Sequence, residues 1–336
     1  MNKFQIAQEL LQEHYKNNIV INLSPCNGYR SRVEFGYKNN FYTMYDLDGD
    51  IVYLDRFNVA RPSISTIMPL LLSNINKSPI LKDKLFQVNF RTNNENRILT
   101  SMIYHKKLDR EIKDEAIILS NKLHIDINLR SRKDIFSTGD KLLKDKLKNR
   151  NINLYQTDQS FYQPNHFHMP KMVQKASDFI KEPKDLLELY CGSGTFTLPL
   201  ARIFRNVIAT ENNRQSIKCL NKSINEHSIK NVFHFRLSAE EVADALEGRI
   251  FKRMGKTNIK DFNFSHILVD PPRSGLTEDV INLLNKFQNI IYISCNQHTY
   301  ARDLDLLNNF TISDIEFFDQ FPNTDHLEIV SLLTKK

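Results

Sequence analysis

"LLELYCGSGTFTLPLA", residues 186–201, decides the fold. An apolar run, a Gly-x-Gly turn at Gly192 and Gly194, and a helix-like run follow one another without a break. Glycine lets a backbone pass close to a ligand, and a helix behind such a turn offers free N–H groups. Thr197 stands where a full dinucleotide fingerprint has a third small residue, and Glu211 ends the next apolar run, where an acid can accept from both ribose hydroxyls. The turn by itself fits NAD and S-adenosylmethionine (SAM) equally.

Six more apolar runs surround it: "NVIATE" (206–211), "VFHFRL" (232–237), "HILVD" (266–270), "NIIYISC" (289–295), "FTISDIEFF" (310–318) and "HLEIVSLL" (326–333). Helical stretches separate the first six strands, as in "RQSIKCLNKSINEH" (214–227), with Ile217, Leu220 and Ile224 on one face. Strands apolar on both faces and joined by helices form a parallel sheet covered on both sides. Only "DQFPNTD" joins the last two strands, too short for a parallel crossover, so they pair antiparallel. The expectation is an α/β, Rossmann-like domain with a seven-stranded, mostly parallel sheet whose last strand is antiparallel.

The first half reads differently. "RSRVEFGY", "NFYTMYDL" and "DIVYLDRF" alternate between short polar turns as a meander. A helix over 62–76, strands at "LFQVNFRT" and "RILTSMIYH", a helix over 109–123 and a strand at "HIDINLRS" follow. This is an α+β domain with an antiparallel sheet. Pro164 and Pro170 interrupt regular structure beyond it, which puts the domains at 1–160 and 161–336.

Composition narrows the class. The formal net charge of +7 suits a polyanionic partner, since Lys and Arg can replace phosphate counterions. Cys26, Cys191, Cys219 and Cys295 lack metal-ligand spacing, which argues against zinc, an iron–sulfur cluster or a disulfide framework. No early segment reads as a signal peptide and "IMPLLLSNI" (67–75) is too short to span a bilayer, so a cytoplasmic protein with no membrane partner is expected. No amphipathic stripe is left over to pair copies, so a monomer is expected.

"VDPPRSGL" (269–276) puts an acid and a rigid Pro-Pro wall at the end of the fourth strand, where open α/β sheets bind ligands. With Gly192, Gly194 and Glu211, Asp270 favours SAM over NAD. Cys295 ends the neighbouring strand, and the polar Asn296-Gln297-His298 turn leaves its thiol at a rim. A lone cysteine is more often a small packed hydrophobe. A rim thiol, though, suits covalent activation of uracil, whose C5 is too weak a nucleophile until a thiolate has added at C6. A base must then remove the C5 proton, and Glu328 in the final strand can do so if burial raises its pKa.

The stretches "SFYQPN", "LLELYCGSGTF", "VDPPRSGL", "YISCN" and "FDQFPNTDHLE", with "YRSRVEFGY", "KLFQVNF" and "MIYHKKLD" before them, resemble the tRNA (uracil-5-)-methyltransferases, within the SAM-dependent RNA m5U methyltransferases. The resemblance covers nearly the whole chain. It implies Cys295 as nucleophile, Glu328 as base, and SAM contacts from Gln163, Tyr190, Thr195, Glu211 and Asp270. It implies uridine 54 of the tRNA T-arm as target, with Phe161 stacking on the extruded base and Arg273 beside it. Ser193 and Thr195 stand where the tRNA branch usually has Asn, and Gln297 where it has Pro, as in ribosomal-RNA relatives. The extra barrel or four-cysteine cluster of those relatives is missing, and the basic insertion "GRIFKRMGKTNIKDF" (248–262) follows the tRNA branch. Competing readings are the same chemistry on rRNA, methylation of an exocyclic base nitrogen without a covalent adduct, and an RNA-binding module on a methyltransferase fold.

Arg30, Arg32, Arg56 and the lysines of "YHKKLDR" (104–110) are candidate phosphate contacts. Replacing them together is expected to weaken RNA binding and flatten its salt dependence by about 0.7–0.9 in log–log slope per lost contact. An unchanged affinity across a salt titration contradicts this.

Overall fold

A computed structural model describes residues 2–46, 48–132, 134–147 and 150–336. The chain divides into two compact units, one of residues 25–146 with 156–159, the other of 1–24, 147–155 and 160–336.

The chain starts with α1 (Lys3–Leu11), whose capping box has the Asn2 side chain accepting from the Phe4 and Gln5 amides while Gln5 accepts from the Asn2 amide. A short strand, β1 (Val20–Asn22), follows. The first unit then holds β2 (Arg32–Lys38), β3 (Phe41–Tyr45), β4 (Ile51–Leu54), α2 (Pro62–Lys77), α3 (Pro79–Lys82), β5 (Leu85–Thr92), β6 (Ile98–Tyr104), α4 (Arg110–Leu123), β7 (Asp126–Arg130) and β8 (Ile135–Ser137). Leu47, the last residue of the expected second strand, lies outside the described residues.

The sheet order is β4-β3-β2-β5-β6-β7-β8. Val33, Phe35, Val88 and Phe90 project from it onto Ile64, Met68, Leu71, Ile112 and Leu119 of the helices. The expectation of an antiparallel sheet needs one correction, because β6 and β7 are parallel. Helix α4 lies between them in the chain and supplies the crossover that a parallel pair requires. Of the candidate phosphate contacts, Arg32 pairs with Glu34, and Lys106 is held by Asp83 and the Ile80 carbonyl. Arg56 and Lys107 are exposed.

Next come β9 (Leu143–Leu147) and β10 (Ile152–Gln156). β9 reads Leu-Lys-Asp-Lys-Leu, and its buried central position is an aspartate whose carboxylate accepts from the Asn94 amide. A charged inward position hides the alternation by which strands are recognised.

The second unit continues with α5 (Met169–Asp178), β11 (Asp185–Leu189), α6 (Thr197–Leu200), β12 (Asn206–Thr210), α7 (Arg214–Glu226), β13 (Val232–Phe235), α8 (Ala239–Glu247), β14 (Phe264–Val269), α9 (Glu278–Leu284), β15 (Asn289–Ser294), α10 (Gln297–Leu306), β16 (Phe310–Phe318) and β17 (Glu328–Lys335). All seven expected strands are present, and β17 is antiparallel to both β15 and β16. The sheet has an eighth member, since its order is β1-β16-β17-β15-β14-β11-β12-β13 with β1 parallel to β16. The expected domain of residues 1–160 is therefore corrected at its start: α1 and β1 belong to the second unit. Three residues of exposed, lone strand gave no alternation to read. Ala7 and Leu11 of α1 join a core with α8, α9 and α10 on one sheet face, while α5, α6 and α7 cover the other.

The lower end of the central strand is pinned by Asp185, which is fully buried and accepts from Arg205, Asn206 Nδ2 and the Asn263 amide. These bonds outweigh desolvation and hold its carboxyl below the ordinary range. Asp185→Ala leaves those donors without their acceptor and is expected to cost about 2 kcal/mol in urea denaturation, lost stability that Asp185→Asn recovers in part.

Candidate active site

Strand direction builds the site. β11, β12, β14 and β15 run parallel, so their carboxyl ends share one edge of the sheet. Tyr190, Glu211, Asp270 and Cys295 are the first residues past those ends. β17 runs the other way and begins at this edge with Glu328. Ser294 pairs with Ile329, so one further step of the ladder sets Cys295 opposite Glu328. Directly opposed residues have Cβ atoms about 5 Å apart.

The turn after β11 is tight. Tyr190 adopts a left-handed φ of 59°, and Gly192 and Gly194 follow at 54° and 92°. A Cβ on Gly194 would lie 2.5 Å from Leu220 Cδ1, so this position needs glycine on both grounds. Glu211 braces the turn, its Oε2 accepting from the Gly192 amide at 3.1 Å and its Oε1 from the Asn213 amide at 2.6 Å. Ser193 Oγ donates to the Phe161 carbonyl at 3.0 Å, and the half-exposed Phe161 ring lies beside Gly192. Thr195 is buried in the same turn. The expected helix behind the turn is only α6, a single turn, so its start offers little as an anion site.

The other half of the edge gathers acids around a thiol. Gln163 Nε2 donates to Asp270 Oδ2 at 3.3 Å. Burial pushes Asp270 up to about 7, Glu211 adding to the shift and Gln163 opposing it. Glu328 is buried and raised well above its ordinary value by desolvation and then by Asp270, with Arg273 acting the other way. Cys295, partly exposed, is pushed up to about 12 by burial and by the charges of Glu328 and Asp270, again opposed by Arg273. The loop carrying Arg273 is tied to this strand end, since its carbonyl accepts from Asn296 Nδ2 and Thr299 Oγ1.

Every site residue singled out in the sequence thus lies along one edge of one unit. Four others escaped notice. Gln320, fully buried, donates through Nε2 to Gln163 Oε1 at 2.7 Å. Asn165 Nδ2 holds the Gln320 carbonyl, and Lys3 Nζ reaches the Phe321 carbonyl at 2.9 Å and Asp319 Oδ1 at 2.6 Å. Only tertiary pairing reveals these three. Glu188 was visible, as an acid inside an otherwise apolar strand.

The family model described as tRNA (Uracil-5-)-methyltransferase matches residues 1–336. A relative from Nitratiruptor sp., named tRNA/tmRNA (uracil-C(5))-methyltransferase, is 39% identical over 91% of this chain and 87% of its own. One of the same name from Campylobacter concisus is 38% identical over 99% of this chain and 93% of its own. Among solved structures, the Pyrococcus abyssi tRNA (uracil-54, C5)-methyltransferase in complex with S-adenosyl-L-homocysteine superposes with a TM-score of 0.78 at 21% identity, over 99% of this chain and 83% of that one. That likeness is one of fold.

Glu188 itself makes a measurable prediction. Neither carboxyl oxygen has a hydrogen bond of good geometry, and burial pushes the group up to about 8, Thr197 opposing and Asp270 adding. A carboxyl whose folded pKa exceeds its unfolded value stabilises fully below the unfolded pKa, and that stability is lost as pH rises through the folded one. Glu188→Gln has no such loss. Its unfolding free energy, read by urea denaturation, is expected to gain on the parent's between pH 5 and pH 9, by on the order of a few kcal/mol at most. A gap constant across that range contradicts the buried acid.

Proposed function

Because the chain belongs to the tRNA (uracil-5-)-methyltransferase family, we propose that it transfers a methyl group from SAM to C5 of uridine 54 in the tRNA T-loop, with Cys295 as covalent nucleophile and Glu328 as base. The observation that carries the mechanism is the pairing of β15 with β17, which opposes a thiol and a buried carboxyl beside Asp270. Amino-methylation has no use for such a pair.

The residues fit the cofactor. Gly192 lets the turn run close beside the Phe161 ring, Glu211 presents a carboxylate at the second strand end, and buried oxygens of Glu188 and Gln320 have no well-aligned partner among the described residues. On this reading Gln163 and Asp270 face the amino-acid end and the methyl-bearing region, Glu211 the ribose, and Tyr190 and Thr195 line the turn. SAM supplies an electrophilic methyl group on a sulfonium, whose positive charge favours loss of protons from the acids around it.

Cys295, partly exposed, gives up its proton to solvent and adds through Sγ to C6 of the uracil, the C5–C6 π electrons moving away from C6 and making C5 electron-rich. Once C5 has taken the methyl group, Glu328 removes the C5 proton and the resulting electron pair expels Cys295, restoring the C5–C6 double bond. In the ligand-free protein burial and neighbouring acids favour the protonated form of both groups, so Arg273, which favours their ionised forms, assists each step. The half-exposed Phe161 ring receives the flipped base. The unit of residues 25–146 is assigned to holding the RNA, and the names of the relatives add tmRNA as a second substrate.

The test is a tRNA transcript carrying 5-fluorouracil, incubated with protein and SAM. Fluorine cannot leave as a proton, so the covalent intermediate is expected to survive denaturation with the parent and with Glu328→Gln, and to vanish with Cys295→Ala. Digestion of the adduct locates the uridine. Methylation of ordinary tRNA without any adduct would rule out the covalent mechanism.

A further inference from the structure

Gln320 is a buried amide in the link between β16 and β17, and its side chain does one thing. Nε2 donates to Gln163 Oε1 at 2.7 Å, and Oε1 has no partner among the described residues. Everything else at this position fixes the backbone. The Asp319 amide donates to the Asn22 carbonyl, Asn165 Nδ2 holds the Gln320 carbonyl, and Lys3 grips Phe321 and Asp319 on either side. The side chain is therefore presented to Gln163 by a clamped turn.

Gln163 needs such a partner. The two ends of an amide have the same shape and opposite hydrogen-bonding roles, so only its neighbours decide which way it faces. Asp270 requires a donor and receives Gln163 Nε2 at 3.3 Å. That contact alone is long. The 2.7 Å bond from Gln320 occupies Gln163 Oε1 at the far end and leaves Nε2 to face Asp270.

We infer that Gln320 is a positioning residue of the methyl-donor site, holding Gln163 as a hydrogen-bond donor to Asp270 and so setting the polarity of that end of the pocket. The inference rests on the assignment of SAM to this edge. The cost of its unmatched buried acceptor offsets what the bond to Gln163 contributes to folding stability. Gln320 therefore serves the ligand, and its loss separates binding from stability.

The experiment compares the parent with Gln320→Met, close in length and volume without the amide, and Gln320→Glu, whose carboxylate cannot donate to Gln163. S-adenosylhomocysteine affinity is measured by calorimetry without RNA, alongside the ligand-free Tm and steady-state methylation of tRNA. Gln320→Met is expected to weaken the ligand about tenfold, as for one well-oriented hydrogen bond, with a nearly unchanged Tm. Its KM for SAM rises while kcat at saturating SAM stays near the parent's. Gln320→Glu is expected to lose at least as much affinity. Affinity within about twofold of the parent in Gln320→Met overturns the proposal, as does a fall in Tm that accounts for the loss. A parent that binds no S-adenosylhomocysteine overturns the site assignment together with it, whereas normal binding without a fluorouracil adduct leaves Gln320 standing and removes only the covalent step.

Discussion

Asp270, Glu328 and Cys295 stand at neighbouring strand ends, where burial disfavours the ionised form of each. Asp270 further disfavours ionisation of Glu328 and Cys295, Glu328 that of Cys295, and Glu211 that of Asp270. Without ligand, burial favours the protonated forms of Cys295 and Glu328, the two groups that the proposed chemistry needs without their protons. A cation at this edge relieves the crowding. Arg273 does so from the surface for Cys295 and Glu328, and under the proposed function the sulfonium does so from within. The same electrostatics would disfavour a neutral ligand of the same shape, so the choice of a cationic methyl donor over its neutral product follows from the arrangement of acids.

That arrangement depends on one reversal of direction. Were β17 parallel to β15, Glu328 would lie at the far edge of the sheet. The antiparallel return through residues 319–327 brings it back and also delivers Gln320 to Gln163. The link has to be held still for this to work. Lys3 of α1 and Asn22 of β1 hold it, which explains why the first two dozen residues pack with the α/β sheet while the chain between them and residue 147 folds elsewhere.

The sheet was legible because parallel strands buried on both faces appear as apolar runs, and turns at strand ends concentrate glycine, proline and acids. Cys295, Asp270 and Glu211 could be placed by that logic alone. What stayed hidden has a physical reason in each case. β9 turns an aspartate inward, so a charge stands where its alternation should show an apolar residue. β1 is too short to show a period. The parallel β6–β7 pair looks like any strand–helix–strand run until its register is seen. Gln320, Asn165 and Lys3 act through contacts across more than a hundred residues of chain, which no local pattern records.

Two buried acids in β11 show which end of the sheet is built for a ligand. Asp185 and Glu188 are both fully buried. Asp185 meets an arginine, an asparagine and a backbone amide, and is pulled below the ordinary carboxylate range. Glu188 meets no well-aligned donor and is pushed up to about 8. A fold that only had to bury an acid would satisfy it, as this one does at the amino end of the strand. At the carboxyl end the acid is left protonated, Gln320 is left with an idle acceptor, and Tyr190 is held in a left-handed turn. Each feature disfavours the folded state. Where they meet, beside the tight turn at the converging strand ends, they mark a surface suited to a ligand.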